Sequence, residues 1–598
     1  MQLELTDLKT KKKNLIAILS IIMVLLGIGS WRLLDFGVRS VTLYQSPYIV
    51  QLQPGPGSQP LAQRLILVIV DGFESESFEN MLAVRDMAGR GVAVSFQGNQ
   101  GLSLVPASTV LMTGALPEVS GVVTNWHNTD VMIDSLWSSA SRADLSTIII
   151  GDAKWKPLFG DIVTQGIYHE IDDNRPNSDI NDSILKDALK EIKQGKSELI
   201  LVSFLPEGPG TNTLAEMRTK STAREQAAAS IDTRLSRLME SVDLSSNAVF
   251  VTLGHSLLTQ GTLADYGKKT LDIRLVAAGA GIVTPDSPPE TIHWISRRLV
   301  DVAPTCACLL GISMPTHSQG EAIFDALDAP SHTLSEMAIR QTAARARFAP
   351  EYLKSLGRQA DNDWSCFSIF LPHNDGNYEE AYEAALDLDE EISLTLSKAR
   401  SAVVASSRLV SIPILIAIAA LLVCILARLL ENNVKDSLIA GVAIFVYFTV
   451  YYGLFLLRGI PLSSSAISYP LELARFYHGR ILDSVVSLVL MAIIVGWLVY
   501  RREKNGEAGQ GLVAGLVSPC FTIAALAVQI GMFIVTEGVT YALYLPDMQK
   551  GFRCSMYLIQ LMVVGILSPI AACLSKGVFL LASQVELSRS GKHEPPDE

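Results

Sequence analysis

At 598 residues the chain exceeds one typical domain. A hydrophobic content of 49% and a mean hydropathy of +0.31 are high for a soluble protein, so membrane spans are expected. The net charge of -12 argues against nucleic acid as a partner, and seven scattered cysteines without a Cys-x-x-Cys pair suggest neither a zinc knuckle nor a disulfide framework. Cys366 retains the option of pairing with Cys306 or Cys308. There is no internal repeat or low-complexity tract of note.

Lys9, Lys11, Lys12 and Lys13 precede an almost wholly apolar stretch from Asn14 to Trp31, long enough to span a bilayer. A cleaved signal peptide is the rival reading, but Trp31-Arg32-Leu33-Leu34 follows instead of a small-x-small cleavage site. Residues 1–35 are therefore read as a cytoplasmic tail and retained anchor, which places the following domain outside the cytoplasm. Residues 36–63 form a linker that ends in the Pro/Gly-rich stretch Gln53 to Gln63.

Residues 64–327 read as an α/β domain. Candidate strands are Leu65–Val70, Gly91–Phe96, Ser146–Ile150, Glu198–Phe204, Ala248–Leu253 and Ile273–Ala278, with helical patterns between most of them. The clearest helix runs from Thr222 to Val242, with Ala227, Ile231, Leu235, Leu238 and Met239 on one face. This alternation predicts a mainly parallel sheet sandwiched by helices. Leu65 to Val70 is a buried-strand pattern that stops at Asp71-Gly72, and open α/β sheets place their chemistry at the carboxyl ends of such strands. An Asp-Gly turn is the plainer reading of those two residues.

Residues 328–407 look helical and charged, with candidate helices Glu336–Leu356 and Tyr378–Ala405, and read as a solvated amphipathic stalk. Residues 408–582 hold five apolar runs, Leu409–Ala427, Leu438–Leu457, Leu482–Tyr500, Leu512–Val535 and Met556–Leu574, each near the length of a span. With the anchor they make six, which puts both ends, including the tail 583–598, in the cytoplasm. Arg501, Arg502 and Lys504 then lie inside, as the positive-inside tendency requires, whereas Arg458, Arg475 and Arg480 lie outside and count against it. The loop with Ser463–Ser465, Pro470, Glu472, Tyr477 and His478 is either an ordinary polar loop or one that meets a lipid headgroup.

The order Val70-Asp71-Gly72, Pro106, Thr113-Gly114, Pro117-Glu118, Gly121-Val122 and Asn125 resembles the alkaline phosphatase superfamily. The resemblance is to its type I phosphodiesterase/nucleotide pyrophosphatase and glycosylphosphatidylinositol ethanolamine-phosphate transferase-like branch. Asp301-Val302-Ala303-Pro304-Thr305, Leu309-Leu310-Gly311 and Pro315 to Gly320 extend it through the closing segment, so it covers the whole α/β domain. The charged helix from Asn377 resembles the segment between catalytic domain and membrane in those transferases more weakly.

The resemblance implies phosphoryl transfer by a Ser or Thr nucleophile clamped by two metal ions, usually zinc. It also implies where this chain departs. Asp71 and His255 match first-site ligands, but Gly254 stands where an Asp is usual. Glu207 takes the place of the second-site Asp, Thr211 that of a His, and Leu263 that of the last His. The nucleophile position is Leu104, with the hydroxyl of Ser103 beside it. In an extended loop that one-residue shift would turn the side chain the other way. His127, Asp152 and Asp265 are further residues that could rescue the site.

Two readings follow. The first is a membrane-anchored phosphoesterase-like protein that has lost two-metal catalysis and binds a lipid, glycan or protein partner; no cofactor is then expected, and Asp71, Glu207 and His255 are vestigial metal ligands. The alternative is an active phosphodiesterase or phosphoethanolamine-type transferase acting on a membrane lipid or glycolipid, with zinc or another divalent metal in an altered site and Ser103 as nucleophile.

Overall fold

The computed structural model describes the chain apart from positions 1, 49–51, 72–77, 97–101, 103, 172–174, 208–215, 256–272, 287–290, 360–363, 433, 459–466, 468–469, 503–508, 538–547 and 591–598. Side chains at 2–16, 216–224, 253–255, 509–511, 537, 548–550, 587, 589–590 and parts of 407–437 also lie outside the description. Within these bounds one mixed sheet of eight strands is built from β1 (Arg64–Asp71), β2 (Gly91–Phe96), β3 (Thr147–Asp152), β4 (Gln165–His169), β5 (Leu199–Phe204), β6 (Asn247–His255), β7 (Ile273–Gly279) and β8 (Trp294–Arg297). Their spatial order is β4-β3-β5-β1-β6-β7-β2-β8. All neighbours are parallel except β7, which runs antiparallel to both β6 and β2.

The two strands absent from the sequence reading are the edge strands β4 and β8, whose residues are half-buried or exposed. An edge strand has a partner on one side only and needs no continuous apolar run, so QGIYH and WISR carry no clear strand pattern. The inner strands do. In β1, Leu65, Leu67 and Ile69 enter one core while Ile66, Val68 and Val70 enter the other. Burial of both faces is why the strand reads as an unbroken aliphatic run.

Helices of seven residues or more are α1 (Gln2–Thr42), α2 (Leu82–Gly89), α3 (Leu104–Thr113), α4 (Leu136–Arg142), α5 (Asn177–Gln194), α6 (Glu216–Glu240), α7 (Val302–Leu310), α8 (Ser331–Ser355), α9 (Phe367–Asn374), α10 (Tyr378–Asn432), α11 (Val434–Leu457), α12 (Pro470–Arg502), α13 (Gly509–Glu537) and α14 (Met548–Ser590). α2, α5 and α6 cover one sheet face, with Ile231, Leu235 and Leu238 of α6 fully buried. α3, α4 and α7 cover the other.

The charged segment expected to be solvated differs. α8 contributes Met337, Phe348 and Tyr352, and α10 contributes Ala381, Ala385 and Ala399, to the same core as β1. Charges on their inner faces pair with each other: Arg345 Nη1 lies 2.6 Å from Asp389 Oδ2, both nearly inaccessible. A paired buried charge looks like a solvated one in sequence. α10 runs unbroken from Tyr378 to Asn432, through the expected span Leu409–Ala427.

Among the described residues, five helical segments are long and apolar enough to cross a membrane: Ala17–Thr42, Leu438–Leu457, Pro470–Arg502, Leu512–Thr536 and Gly551–Glu586. Side chains in the sixth expected run, Leu409–Ala427, lie partly outside the description. α1, α11, α12, α13 and α14 share a core that includes Met23, Tyr447, Met491, Leu526 and Val564. α1 meets α14 at two glycines, since a Cβ on Gly27 would lie 2.8 Å from Ile566 N and one on Gly565 2.6 Å from Met23 O. Small residues let membrane helices approach closely enough for backbone contact. Cys306, Cys308 and Cys366 are all free thiols, which corrects the expected option of a bridge to Cys366. Burial pushes the Cys308 thiol up to about 12.

Candidate functional site

The carboxyl ends of β3, β5, β1 and β6 lie side by side and deliver Asp152, the Leu205–Glu207 turn, Asp71 and His255 to one edge. Asp71 and His255 are paired in register across β1 and β6, just after a register shift between Val70 and Asp71. Their backbones are thus neighbours, as the motif order requires. The His255 side chain, Ser103, Thr211, Leu263 and Asp265 lie outside the described residues.

Asp71 is fully buried, and its Oδ2 accepts a short charged hydrogen bond from Lys154 Nζ. Lys154 follows the end of β3, two strands from β1, a gap of roughly 10 Å at the usual strand spacing. Asp152, the last residue of β3, holds the turn by accepting the Lys154 backbone N–H at 2.9 Å. Asp152 Oδ2 also lies 3.5 Å from Lys154 Nζ. Burial pulls the Lys154 pKa down, but the charges and hydrogen bonds of Asp71 and Asp152 outweigh it, and the ammonium is held above its ordinary value. The Trp155 ring covers it, with Nζ 5.7 Å from the centroid.

Glu207 is also matched by a cation of the chain. Its Oε1 accepts from Arg234 Nη1 at 2.7 Å and from Asn181 Nδ2 at 2.6 Å. Arg234 comes from α6 and is itself buried; its Nε donates to Asp182. Asn181 of α5 fixes the turn after β5 through both the N–H and the C=O of Leu205. Glu207 is therefore turned to α5 and α6.

Leu104 opens α3, and Pro106 lies in its first turn. From Leu104 onward this corrects the expectation of an extended loop, while the relation of Leu104 to Ser103 lies outside the described residues. Asn125 Oδ1 accepts the otherwise unsatisfied Val105 N–H at 3.1 Å. His127 stands by Thr129, 3.1 Å from its hydroxyl, and supplies nothing to Asp71 or Glu207 in the described contacts.

Among the described residues no group of three His, Cys, Asp or Glu side chains is gathered to hold a metal. The two zinc ions that the resemblance implies do not fit the described donors: an ammonium sits on Asp71 and a guanidinium on Glu207. A metal ion would have to displace both cations. Sequence reading missed Lys154 and Arg234 because lysine and arginine are not ligand types. The available signal was Asp152-x-Lys154 directly after a buried strand.

The fold and the motif order together define an alkaline-phosphatase-like α/β domain carried on apolar helices. Among characterised proteins the chain is 20% identical over 293 residues to the catalytic subunit of human GPI ethanolamine phosphate transferase 2. That match covers 45% of this chain and 28% of the relative's length. It agrees with the resemblance of the α/β domain to the alkaline phosphatase superfamily. Solved structures similar to the chain include an alkaline phosphatase superfamily protein from Vibrio parahaemolyticus, 14% identical with a TM-score of 0.34, covering 50% of this chain and 79% of that one. Another is a lipoteichoic acid synthase from Listeria monocytogenes, 12% identical with a TM-score of 0.32, covering 46% and 77%. No family model matches.

Proposed function

We propose that the protein is a membrane-anchored phosphoesterase-like pseudoenzyme whose α/β domain serves as a binding or scaffolding platform for a lipid, glycan or protein partner. The observation that carries this reading is the Lys154 ammonium on Asp71. A fixed positive charge at that carboxylate supplies the neutralisation a metal would give, but a protonated ammonium has no lone pair to offer and no open coordination position for activating a hydroxyl. The Arg234–Glu207 pair does the same at the second carboxylate. Each of these two carboxylates thus has a countercharge from the chain's own side chains.

In this reading the chain crosses the membrane six times, with α10 supplying the sixth span and both termini in the cytoplasm. The close contact between α1 and α14 supports a retained N-terminal anchor.

The test is metal content and turnover of the full chain purified in detergent. The expected result is no stoichiometric zinc and hydrolysis of bis(p-nitrophenyl) phosphate no faster than by an Asp71→Ala variant. One or more bound metal ions per chain, together with a turnover that chelation or Asp71→Ala abolishes, would overturn the pseudoenzyme reading. An altered-site phosphodiesterase or transferase would replace it, with Ser103→Ala as the next variant to make.

A further inference from the structure

Three charged side chains meet where α11 and α12 leave the apolar layer. Arg458 follows directly after Leu457, the last residue of α11, and Arg480 lies two residues before the apolar run that starts at Leu482. Both contact Asp483: Arg458 Nη2 is 2.8 Å from Oδ1, and Arg480 Nη2 is 2.7 Å from Oδ2. Two guanidinium groups share one carboxylate, which leaves one net positive charge.

Arg480 is fully buried, with its guanidinium carbon 4.4 Å from the Phe455 ring centroid and 5.5 Å from that of Phe476. Its Nε, Nη1 and Nη2 make no aligned hydrogen bond to any described residue; the contact with Asp483 is close but badly directed. Unsatisfied donors at the edge of a bilayer carry a high free-energy cost. Arg458, by contrast, is 44% exposed and forms the open side of the group.

Around this charge the surface is built for lipid. Leu456, Leu457, Leu471 and Leu482 are all exposed on the same helix ends. Above it, Trp126 of the α/β domain packs on the Phe455, Phe476 and Phe552 cluster, and Asn125 Nδ2 donates to Ile467 O at 3.3 Å. The Asn125–Trp126 loop of the sheet domain therefore rests on this part of the membrane helices.

We propose that Arg458 and Arg480, bridged by Asp483, hold the phosphate of a membrane glycerophospholipid beneath the Asn125–Trp126 loop. A phosphate oxygen supplies the acceptors that the Arg480 guanidinium lacks among the described residues, its charge matches the excess, and planar guanidinium suits paired oxygens. The exposed leucines lie where acyl chains would run, next to a phosphate at headgroup depth. This assignment rests on the membrane-anchored part of the proposed function and not on loss of catalysis.

The experiment measures binding of NBD-labelled dioctanoyl phosphatidylglycerol to the full chain in detergent by fluorescence anisotropy. Unlabelled dioctanoyl phosphatidylglycerol is expected to displace the probe, while dioctanoylglycerol and inorganic phosphate are not. Arg480→Gln and Arg458→Gln should each weaken binding about tenfold, the loss of one charged hydrogen-bonding partner. Arg475→Gln, at an exposed arginine outside the triad, should change it less than about threefold. Arg458→Gln keeps the test sound should Arg480→Gln fail to fold. The assignment is overturned if dioctanoylglycerol or inorganic phosphate competes as well as the phospholipid, if Arg458→Gln binds like wild type, or if Arg475→Gln weakens binding equally. Bound zinc with turnover would defeat the pseudoenzyme reading and leave this site standing.

Discussion

At Asp71 a lysine ammonium meets a carboxylate that water does not reach. Replacing Lys154 by Met removes the ammonium that Asp71 and Asp152 share, and should lower stability by about 3–5 kcal/mol in thermal melts of the full chain. Asp71→Asn leaves Lys154 paired with Asp152 and should cost less. The pH dependence has a definite sign. The folded pKa of Lys154 is raised above its ordinary value of 10.5, so its stabilisation is complete below 10.5 and is lost as pH rises through the folded pKa. The difference between wild type and Lys154→Met should shrink at strongly alkaline pH, where Lys154 loses its proton, and again towards acid pH, where the variant's Asp71 and Asp152 take up protons. A difference that persists unchanged at strongly alkaline pH would show that another group carries it.

At the scale of elements, the turn of helix Pro117–Ser120 receives both segments that rise from the membrane. Glu118 Oε1 accepts from Tyr352 OH of α8 at 3.0 Å, and Oε2 accepts from Arg400 Nη2 of α10 at 2.6 Å. The backbone O of Glu118 accepts from Tyr44 OH, just past α1, at 2.6 Å. Gly121 ends the turn at φ 79°, and a Cβ there would lie 2.7 Å from Ser46 N. The Pro-Glu-x-x-Gly signature is thus a fastening between the sheet domain and its membrane connectors. Glu118→Ala should destabilise by about 1–3 kcal/mol and raise protease cleavage in 43–60; unchanged cleavage and melting would show the fastening to be unimportant. On the membrane side, Gly565→Leu forces α14 away from α1 and should cost about 1–3 kcal/mol, seen as a lower melting temperature in detergent.

For the whole molecule, the six-span arrangement makes a labelling prediction. Single cysteines placed at Gln53 and Pro461 should react with an impermeant maleimide from the side opposite to one at Lys504. Opposite labelling of Gln53 and Pro461 would eliminate the six-span count and remove α10 from the membrane. The Asn125–Ile467 contact adds a constraint of its own, because it holds the Asn125 loop of the sheet domain against the connection between α11 and α12.

Much of the fold was legible in the sequence because its inner strands are buried on both faces. Such strands must be continuous aliphatic runs, and Leu65 to Val70 or Leu199 to Phe204 could scarcely be anything else. Five of the six expected apolar runs lie in helices long and apolar enough to cross a membrane, because such a helix must be apolar over about 20 residues. The motif order likewise located Asp71, Glu207 and His255 at adjacent strand ends, since the chain order of a mainly parallel sheet fixes which ends face together. What only tertiary structure decided is the partner of each charge. Lys154 lies 83 residues from Asp71, Arg234 27 from Glu207 and Arg345 44 from Asp389. Nothing local distinguishes them from solvated surface charges, since an ion pair depends on where two chain segments pack and not on either segment alone. The reading of α8 and α10 as a free stalk failed on that point: their charges were visible, but the burial that pairs them arises only when the helices dock on the sheet.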